Sequence, residues 1–310
     1  MSEKKKVICV LGPTASGKTE LGIKIAEKIN GEIICADSMQ IYKGMSIASA
    51  APTKEERARV THHLAEFLEY DESFTAGDYV KCARAKIEEL LERGVTPVIV
   101  GGTGLYISSL ADNIIFTEAE TDKVLRERLN KRMEEIGAEA MLEELKKLDS
   151  AAAEKLHPNN KRRIIRAFEI YETTGLTVTE QNRLSREEEC PYDFIMLGIN
   201  YKDRGKLYDR INLRVDKMLQ SGLTAEAESA FKNQTGESSG AVQAIGHKEL
   251  FPYFKGESSL EECIEKLKQS TRRYAKRQIT WFSRDERINW LYPDEDADIL
   301  KKAIDIISDN

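Results

Sequence analysis

A short apolar run and the glycine-rich octapeptide behind it constrain this chain more than any other stretch. Residues 7–11 read VICVL, a pattern typical of a parallel strand that is buried on both faces. Residues 12–19 read GPTASGKT and match G-x-x-x-x-G-K-[ST] at every fixed position. Residues 20–29 then place apolar side chains at helical spacing. A strand, a glycine-rich loop and a helix in this order predict a phosphate-binding loop rather than a chance match.

The octapeptide combines three sources of positive charge. Its glycines let the backbone approach an anion closely, and the N–H groups at a helix N-terminus carry partial positive charge. Lys18 adds a full charge, and the Thr19 hydroxyl is a candidate ligand for Mg²⁺. We therefore expect a phosphate or diphosphate to bind here, on Gly12, Pro13, Thr14, Ala15, Ser16, Gly17, Lys18 and Thr19. The motif does not identify the phosphate ester.

Two further strand ends are expected beside this loop. Residues 31–36 and 96–100 read as short buried strands, followed by Asp37 and by the stretch GGTGLY at 101–106. Ligands of open α/β sheets bind beyond the carboxyl ends of the strands, so Asp37 and Thr103 are candidates for the rim of the site. Asp37 could equally be a turn residue or a helix N-cap, and the glycines could form a tight strand-to-helix turn.

The middle of the chain changes character. Residues 118–149 and 161–174 keep helical spacing and a dense charged surface without any strand pattern, which returns at 192–200. We therefore predict an α/β core from residues 1–111 and 192–310. Residues 112–191 are predicted to form an all-helical insertion domain.

The net charge of −6 hides an uneven distribution. Residues 161–166 hold four basic side chains, and residues 266–284 hold seven without any acid. Residues 285–310 hold eight acids against three bases. Because local fields govern binding, the basic helices predict a polyanion-binding surface, although the cluster at 161–166 could also be an ordinary solvated face.

Composition excludes several classes of protein. No apolar run approaches the length that spans a bilayer, and the N-terminus lacks the pattern of a signal peptide. The five cysteines are scattered, without a C-x-x-C pair, which favours reduced thiols over a metal site. We expect a cytoplasmic monomer that does not bind membranes.

The motifs taken together resemble bacterial-type tRNA dimethylallyltransferases, also called tRNA isopentenyltransferases, of the IPP transferase family. The resemblance runs to residue 290 and implies a P-loop NTPase-like parallel sheet flanked by helices. The matching stretches are GPTASGKT at 12–19, DSMQIY at 37–42, GGTGLY at 101–106, HPNNKRRIIRAFEIYETTG at 157–175, AIGHKE at 244–249 and YAKRQITWF at 274–282.

The resemblance implies transfer of a dimethylallyl group from dimethylallyl diphosphate to N6 of the adenosine immediately 3′ of the anticodon. Diphosphate would leave, with Mg²⁺ on Thr19, and the adenosine would be flipped out of its stack. It implies Asp37 as general base, with Thr103 as a second catalytic residue. Around the tRNA and this adenosine it places Asp37, Ser38, Met39, Gln40, Thr103 and Arg126. For the anticodon arm it implies Arg162, Arg163, Ile164, Ile165, Arg166, Ala244, Ile245, Gly246, His247, Lys248, Glu249, Arg272, Arg273, Lys276 and Arg277.

The chain departs from the family pattern at three positions. Ala51 stands where the family commonly has lysine, Asn160 where it has aspartate, and His247 where it has tyrosine. The change at position 51 removes a positive charge, which leaves the role of that position in doubt. None of the three falls on the phosphate loop, Asp37 or Thr103, so we expect activity to survive.

Two other functions remain open from the residues alone. A nucleoside or metabolite kinase would use the same phosphate loop with ATP, but it would not need seven basic residues along one helix. An RNA-binding module without activity would not need a carboxylate at the strand ends. The family motifs favour the transferase over both.

Overall fold

Six parallel strands form one sheet in the described part of the chain. The computed structural model describes residues 4–114, 116, 122–187, 189–233 and 244–310, with Arg186 described by its backbone only. The spatial order is β3-β2-β4-β1-β5-β6. The strands are β1 Lys5–Leu11, β2 Gly31–Ala36, β3 His62–His63, β4 Thr96–Gly101, β5 Tyr192–Ile199 and β6 Ile288–Leu291.

Strand β1 lies in the centre of the sheet, where its sequence places it. Ile8 pairs with Val98 of β4 on one side and with Ile195 of β5 on the other. Its side chains from Val7 to Leu11 are all buried, as expected for a strand covered on both faces. From β1 the chain first adds the strands on one side, β2 to β4, and then those on the other side, β5 and β6. This change of side at β1 opens a crevice beyond its carboxyl end.

Helices cover the sheet and build the rest of the described chain. They are α1 Lys18–Lys28, α2 Ser46–Ser49, α3 Lys54–Arg59, α4 Ala76–Glu92, α5 Gly104–Ala111, α6 Lys123–Ile136, α7 Ala138–Leu148, α8 Ser150–Ala153, α9 Lys161–Thr174, α10 Val178–Glu187, α11 Arg204–Gln220, α12 Leu223–Lys232, α13 Phe251–Phe254, α14 Leu260–Phe282 and α15 Ile299–Asp309. None of the helices in these described ranges is long and apolar enough to cross a membrane.

Contacts divide the chain into two compact units. Unit 1 comprises Met1–Leu110 and Pro191–Asn310, and unit 2 comprises Ala111–Cys190. The core of unit 1 packs the sheet against α1 and α15. Within its described residues unit 2 is all helix, with a core centred on Leu129, Met141 and Ile164.

Glycines separate two pairs of consecutive helices. Gly137 has a φ of 85° and separates α6 from α7, and Gly222 has a φ of 100° and separates α11 from α12. Such left-handed backbone interrupts a helix, and glycine adopts it without a steric penalty. Residues 118–121, where a helix was also expected, lie outside the described residues.

Candidate active site at the carboxyl ends of the strands

The phosphate loop turns sharply between β1 and α1. Gly12 has a φ of 154°, and a Cβ there would lie 2.7 Å from the carbonyl oxygen of Ile199, so a side chain is excluded. Ala15 has a left-handed φ of 63°, which is strained for alanine. Its carbonyl accepts a hydrogen bond of 2.9 Å from Nε of Arg210, which fixes this turn. The loop is therefore shaped by its own glycine and by a side chain from α11.

Two cations face the loop without a carboxylate partner. Lys18 is 9% exposed, and burial together with the charge on Arg214 lowers its pKa to about 8, against the opposing charge of Asp37. Arg214, on α11, is half-buried, and burial lowers its pKa despite the charges of Asp37 and Glu56. No carboxylate of the described residues pairs with either group. A buried and a half-buried cation without a carboxylate partner, one of them at the N-terminus of α1, fit a multiply charged anion.

Asp37 and Thr103 come together where β2 and β4 end. Thr103 Oγ1 accepts a hydrogen bond of 2.9 Å from the Ser38 N–H, and the Thr103 N–H donates to the Ala36 carbonyl at 3.1 Å. Asp37 Oδ1 accepts from the Met39 N–H at 2.9 Å. Asp37 is therefore partly engaged as a turn residue, the alternative left open by its sequence, and its half-buried carboxylate still lies near Lys18.

Helix α14 supplies side chains that the motif search did not assign. Gln278 is 4% exposed, and its Oε1 accepts from the Thr14 N–H at 2.8 Å. Burial and the charge of Asp37 raise the pKa of Tyr274 on the same helix, and a hydrogen bond to Thr103 opposes the shift. The loop therefore does not offer every amide to an anion, because the Thr14 N–H is bound to Gln278 and the Ser16 N–H donates to the Pro13 carbonyl at 3.2 Å.

The described residues of this site could supply part of a metal's coordination sphere together with a substrate, but they do not form a complete metal site. No group of three or more His, Cys, Asp or Glu side chains in the described ranges is arranged to hold a metal ion. Thr19 is half-buried and lines a small cavity together with Lys18, Gln40 and His62. A hard cation held by few protein ligands takes its remaining oxygens from phosphate and water, as Mg²⁺ usually does.

Comparison with known proteins decides the family. A family model described as IPP transferase matches residues 40–285. The chain belongs to this family. It is 45% identical over 291 residues to the tRNA dimethylallyltransferase of Caldanaerobacter subterraneus subsp. tengcongensis, which covers 94% of this chain and 92% of that protein.

Solved structures confirm the predicted P-loop NTPase-like α/β fold. The full-length tRNA isopentenylpyrophosphate transferase of Bacillus halodurans is 39% identical, with a TM-score of 0.72, covering 98% of this chain and 96% of that chain. A eukaryotic dimethylallyltransferase studied while acting on tRNA is 31% identical, with a TM-score of 0.81, covering 99% of this chain and 80% of that chain. The sheet of this IPP transferase is therefore that of its family.

The candidate tRNA residues of unit 1 in this IPP transferase differ widely in exposure. Arg273, Lys276 and Arg277 are exposed on α14, whereas the half-buried Arg272 donates to Asn212 Oδ1 at 2.7 Å. Ser38 and Met39 lie in the loop after β2 with half-buried side chains. Gln40 Nε2 there donates to the Ala50 carbonyl at 2.9 Å.

The segment 244–249 is largely internal. Ala244, His247 and Glu249 are buried, with His247 Nε2 2.9 Å from Glu226 and Glu249 accepting from the Gly246 N–H. Gly246 is buried and Ile245 is half-buried, whereas Lys248 is exposed. Of the predicted contacts in this segment, Lys248 offers the most accessible side chain.

In unit 2 an ion-pair cluster organises two of the predicted arginines. Glu169 is 4% exposed, and its carboxylate accepts from Arg126 Nη2 at 2.8 Å and from Arg166 Nη1 at 3.2 Å. Burial alone would raise the pKa of Glu169, but these hydrogen bonds outweigh it and hold that pKa below its usual value. Sequence reasoning missed Glu169, although an acid three residues after Arg166 is a helical pairing signal.

The remaining candidates of α9 face opposite ways. Arg162 and Arg163 are exposed, as a binding surface requires. Ile164 and Ile165 are 0% and 7% exposed and pack into the core of unit 2. Their side chains face the core, so the predicted contact of these two residues with the anticodon arm could come only from their backbone and stays a prediction.

Proposed function

We propose that this IPP transferase transfers a dimethylallyl group from dimethylallyl diphosphate to tRNA. The acceptor is N6 of the adenosine 3′-adjacent to the anticodon, and diphosphate is released. The observation that supports this most strongly is the pair of unneutralised cations, Lys18 and Arg214, beside the Asp37 carboxylate. An anion site next to a proton acceptor is what this transfer needs. The 45% identity to a tRNA dimethylallyltransferase supports the same reaction.

On the donor side, the C–O bond between the allylic carbon and the diphosphate breaks, and negative charge develops on the leaving group. Lys18, Arg214 and the amides of Ala15 and of residues 17–19 would stabilise that charge within a partly buried loop. Mg²⁺ held by Thr19 and the phosphate oxygens would neutralise further charge. These groups are preorganised, because Arg210 already holds Ala15 in its left-handed turn.

On the acceptor side, N6 forms the new N–C bond and loses one proton. Asp37 would accept that proton as general base, using the carboxylate oxygen that does not receive the Met39 N–H. Thr103 would position the loop after β2 that carries Asp37, since its hydroxyl already accepts a hydrogen bond from the Ser38 N–H. The proton leaves N6 as the amine becomes cationic, so a weak base suffices.

Each unit carries cations that are candidates for binding the tRNA. In unit 1 the exposed basic side chains of α14 and Lys248 are the candidates. In unit 2, the insertion domain, they are Arg126, Arg162, Arg163 and Arg166, of which two are already oriented by Glu169. Phosphate contacts of this kind position an RNA without reading its sequence. Free thiols at all five cysteines agree with the proposed location in the cytoplasm, where the enzyme would act as a monomer.

The test compares Asp37→Asn with wild type on an unmodified anticodon stem-loop. Single-turnover transfer from dimethylallyl diphosphate should slow by about 10² to 10⁴-fold, the usual effect of losing a general base. Asp305→Asn, an exposed acid on α15, is the matched control and should react at the wild-type rate. Equal rates for Asp37→Asn and wild type would remove Asp37 from its role. No transfer by folded wild type would overturn the reaction itself.

A further inference from the structure

Helix α14 reaches both glycine-rich loops through a single side chain. Gln278 Oε1 accepts a hydrogen bond of 2.8 Å from the Thr14 N–H in the phosphate loop. Its Nε2 donates at 2.9 Å to the carbonyl of Gly102, in the loop that carries Thr103. One buried amide therefore joins the loop that would hold the donor to the loop that would hold the acceptor.

The packing at Gly102 is built around this amide. A Cβ on Gly102 would lie 2.2 Å from Nε2 of Gln278 and 3.2 Å from the carbonyl oxygen of Gly12. A side chain at position 102 would therefore displace the amide from between the loops. The absence of a side chain at 102 and the presence of glutamine at 278 thus depend on each other.

The chemistry of the bridge is directional. One end must accept from a backbone N–H, and the other must donate to a backbone carbonyl, which among side chains of this length only an amide does. A glutamate would place a carboxylate oxygen against the Gly102 carbonyl, and a methionine would leave both buried backbone groups unpaired. Each substitution breaks the bridge while preserving the length of the side chain.

Neighbouring residues on the same face of α14 contact only the side of the second loop. Tyr274 lies beside Thr103, and Trp281 Nε1 donates at 2.8 Å to Ser108 Oγ of α5, the helix that follows this loop. They lie one turn before and one turn after Gln278, so three successive turns of α14 contact the Thr103 loop or the helix behind it. Among these three side chains Gln278 is the one that also hydrogen-bonds the phosphate loop.

We propose that Gln278 is a positioning residue that sets the distance between the phosphate loop and the Thr103 loop. The inference rests on the proposed function, in which the leaving diphosphate occupies one loop and the adenosine the other. A misplacement of about 1 Å between reacting groups can cost about 10²-fold in rate. Gln278 would therefore act on the chemical step more than on the affinity for either substrate.

The test measures kcat and KM for both substrates in Gln278→Met and Gln278→Glu. We expect kcat to fall by about 10²-fold while each KM stays within about threefold of wild type. Gln269→Met, an exposed glutamine on the same helix, is the control and should leave both parameters unchanged. Unchanged thermal unfolding of the variants would separate positioning from loss of the fold.

A double-mutant cycle with Gly102→Ala supplies a second measurement. Gly102→Ala should lower kcat strongly in wild type, because its methyl group displaces the amide, and much less in Gln278→Ala, where space is free. Additive effects of the substitutions at 102 and 278, or a wild-type kcat in Gln278→Met, would overturn this inference and leave the proposed function intact. A rise confined to the KM for tRNA would also overturn it and make Gln278 an RNA contact. Absence of transfer by wild type would overturn the proposed function and this inference together.

Discussion

Lys18 is 9% exposed, and its ammonium group has no carboxylate partner among the described residues. Its charge is costly until an anion binds, which explains why its pKa falls to about 8. Arg214 shares this environment, but an arginine stays protonated at all relevant pH values. The two residues therefore make different contributions to anion binding as the pH changes.

The affinity for inorganic diphosphate should fall above pH 8. The anion stabilises the protonated amine, so above that pH binding requires proton uptake by Lys18 and weakens by up to about tenfold per pH unit. Calorimetry between pH 7 and pH 9 measures this, and Lys18→Met corrects for the titration of diphosphate itself. Parallel curves for wild type and Lys18→Met would contradict the assignment.

Arg214→Gln should weaken binding of dimethylallyl diphosphate by roughly 10- to 100-fold, since a charge-assisted contact contributes about 1.5–3 kcal/mol. The control is Arg204→Gln, an exposed arginine on the same helix, which should bind as wild type does. Equal dissociation constants for both variants would place Arg214 outside the diphosphate site.

The phosphate loop was predictable from sequence, whereas Arg214 and Gln278 were not. The motif is local, so its eight consecutive residues are enough to predict a phosphate-binding loop. Gln278 meets Thr14 across 264 positions, and only the folded sheet brings them together. The buried state of Ile164 and Ile165 was predictable, because they and Phe168 follow a helical apolar period, but the family motif outweighed that pattern.

Helix α9 illustrates, at the scale of an element, how one buried acid organises a basic surface. Glu169 receives hydrogen bonds from Arg126 of α6 and from Arg166 of α9, so it joins the two helices while orienting both guanidinium groups. Removing the carboxylate charge from such a cluster leaves cations without their partner. Unit 2 should therefore lose both stability and RNA affinity.

The stability advantage of wild type over Glu169→Gln should depend on pH. The folded pKa of Glu169 lies below its ordinary 4.5, so the contribution is complete above pH 4.5 and is lost as the pH falls through the folded value. Thermal unfolding between pH 7 and pH 3 measures the difference. Glu127→Gln, an exposed acid on α6, is the control. A difference that stays constant down to pH 3 would contradict the ion-pair account.

Element boundaries were predictable where the pattern was strong. The strand expected at 31–36 is β2, and the helix expected at 161–174 is α9. The basic helix expected within residues 266–284 belongs to α14, which ends at Phe282 in the structure. Helix ends fray, so the hydrophobic period predicts where an element exists more accurately than where it stops.

At the scale of the whole molecule, a net charge of −6 coexists with exposed basic helices. The acids of residues 285–310 account for much of the negative charge, and α14 directly before them carries the positive charge. Binding of a polyanion follows the local field rather than the mean.

Affinity for the stem-loop should therefore fall steeply with salt. Neutralising Arg273, Lys276 and Arg277 together should reduce the slope of log K against log salt by about 0.7–0.9 per charge removed. Lys301→Gln on α15 is the control and should keep the wild-type slope. An unchanged slope for the triple variant would show that α14 does not contact the RNA backbone.

The central claim is that the phosphate loop holds a prenyl diphosphate whose dimethylallyl group passes to tRNA. Mass spectrometry of a nuclease-digested stem-loop, after incubation with Mg²⁺ and either dimethylallyl diphosphate or ATP, tests it most directly. The account predicts one added dimethylallyl group, on the adenosine 3′ of the anticodon, with dimethylallyl diphosphate only. An unmodified adenosine with that donor, together with phosphate transfer from ATP to a small acceptor, would contradict it.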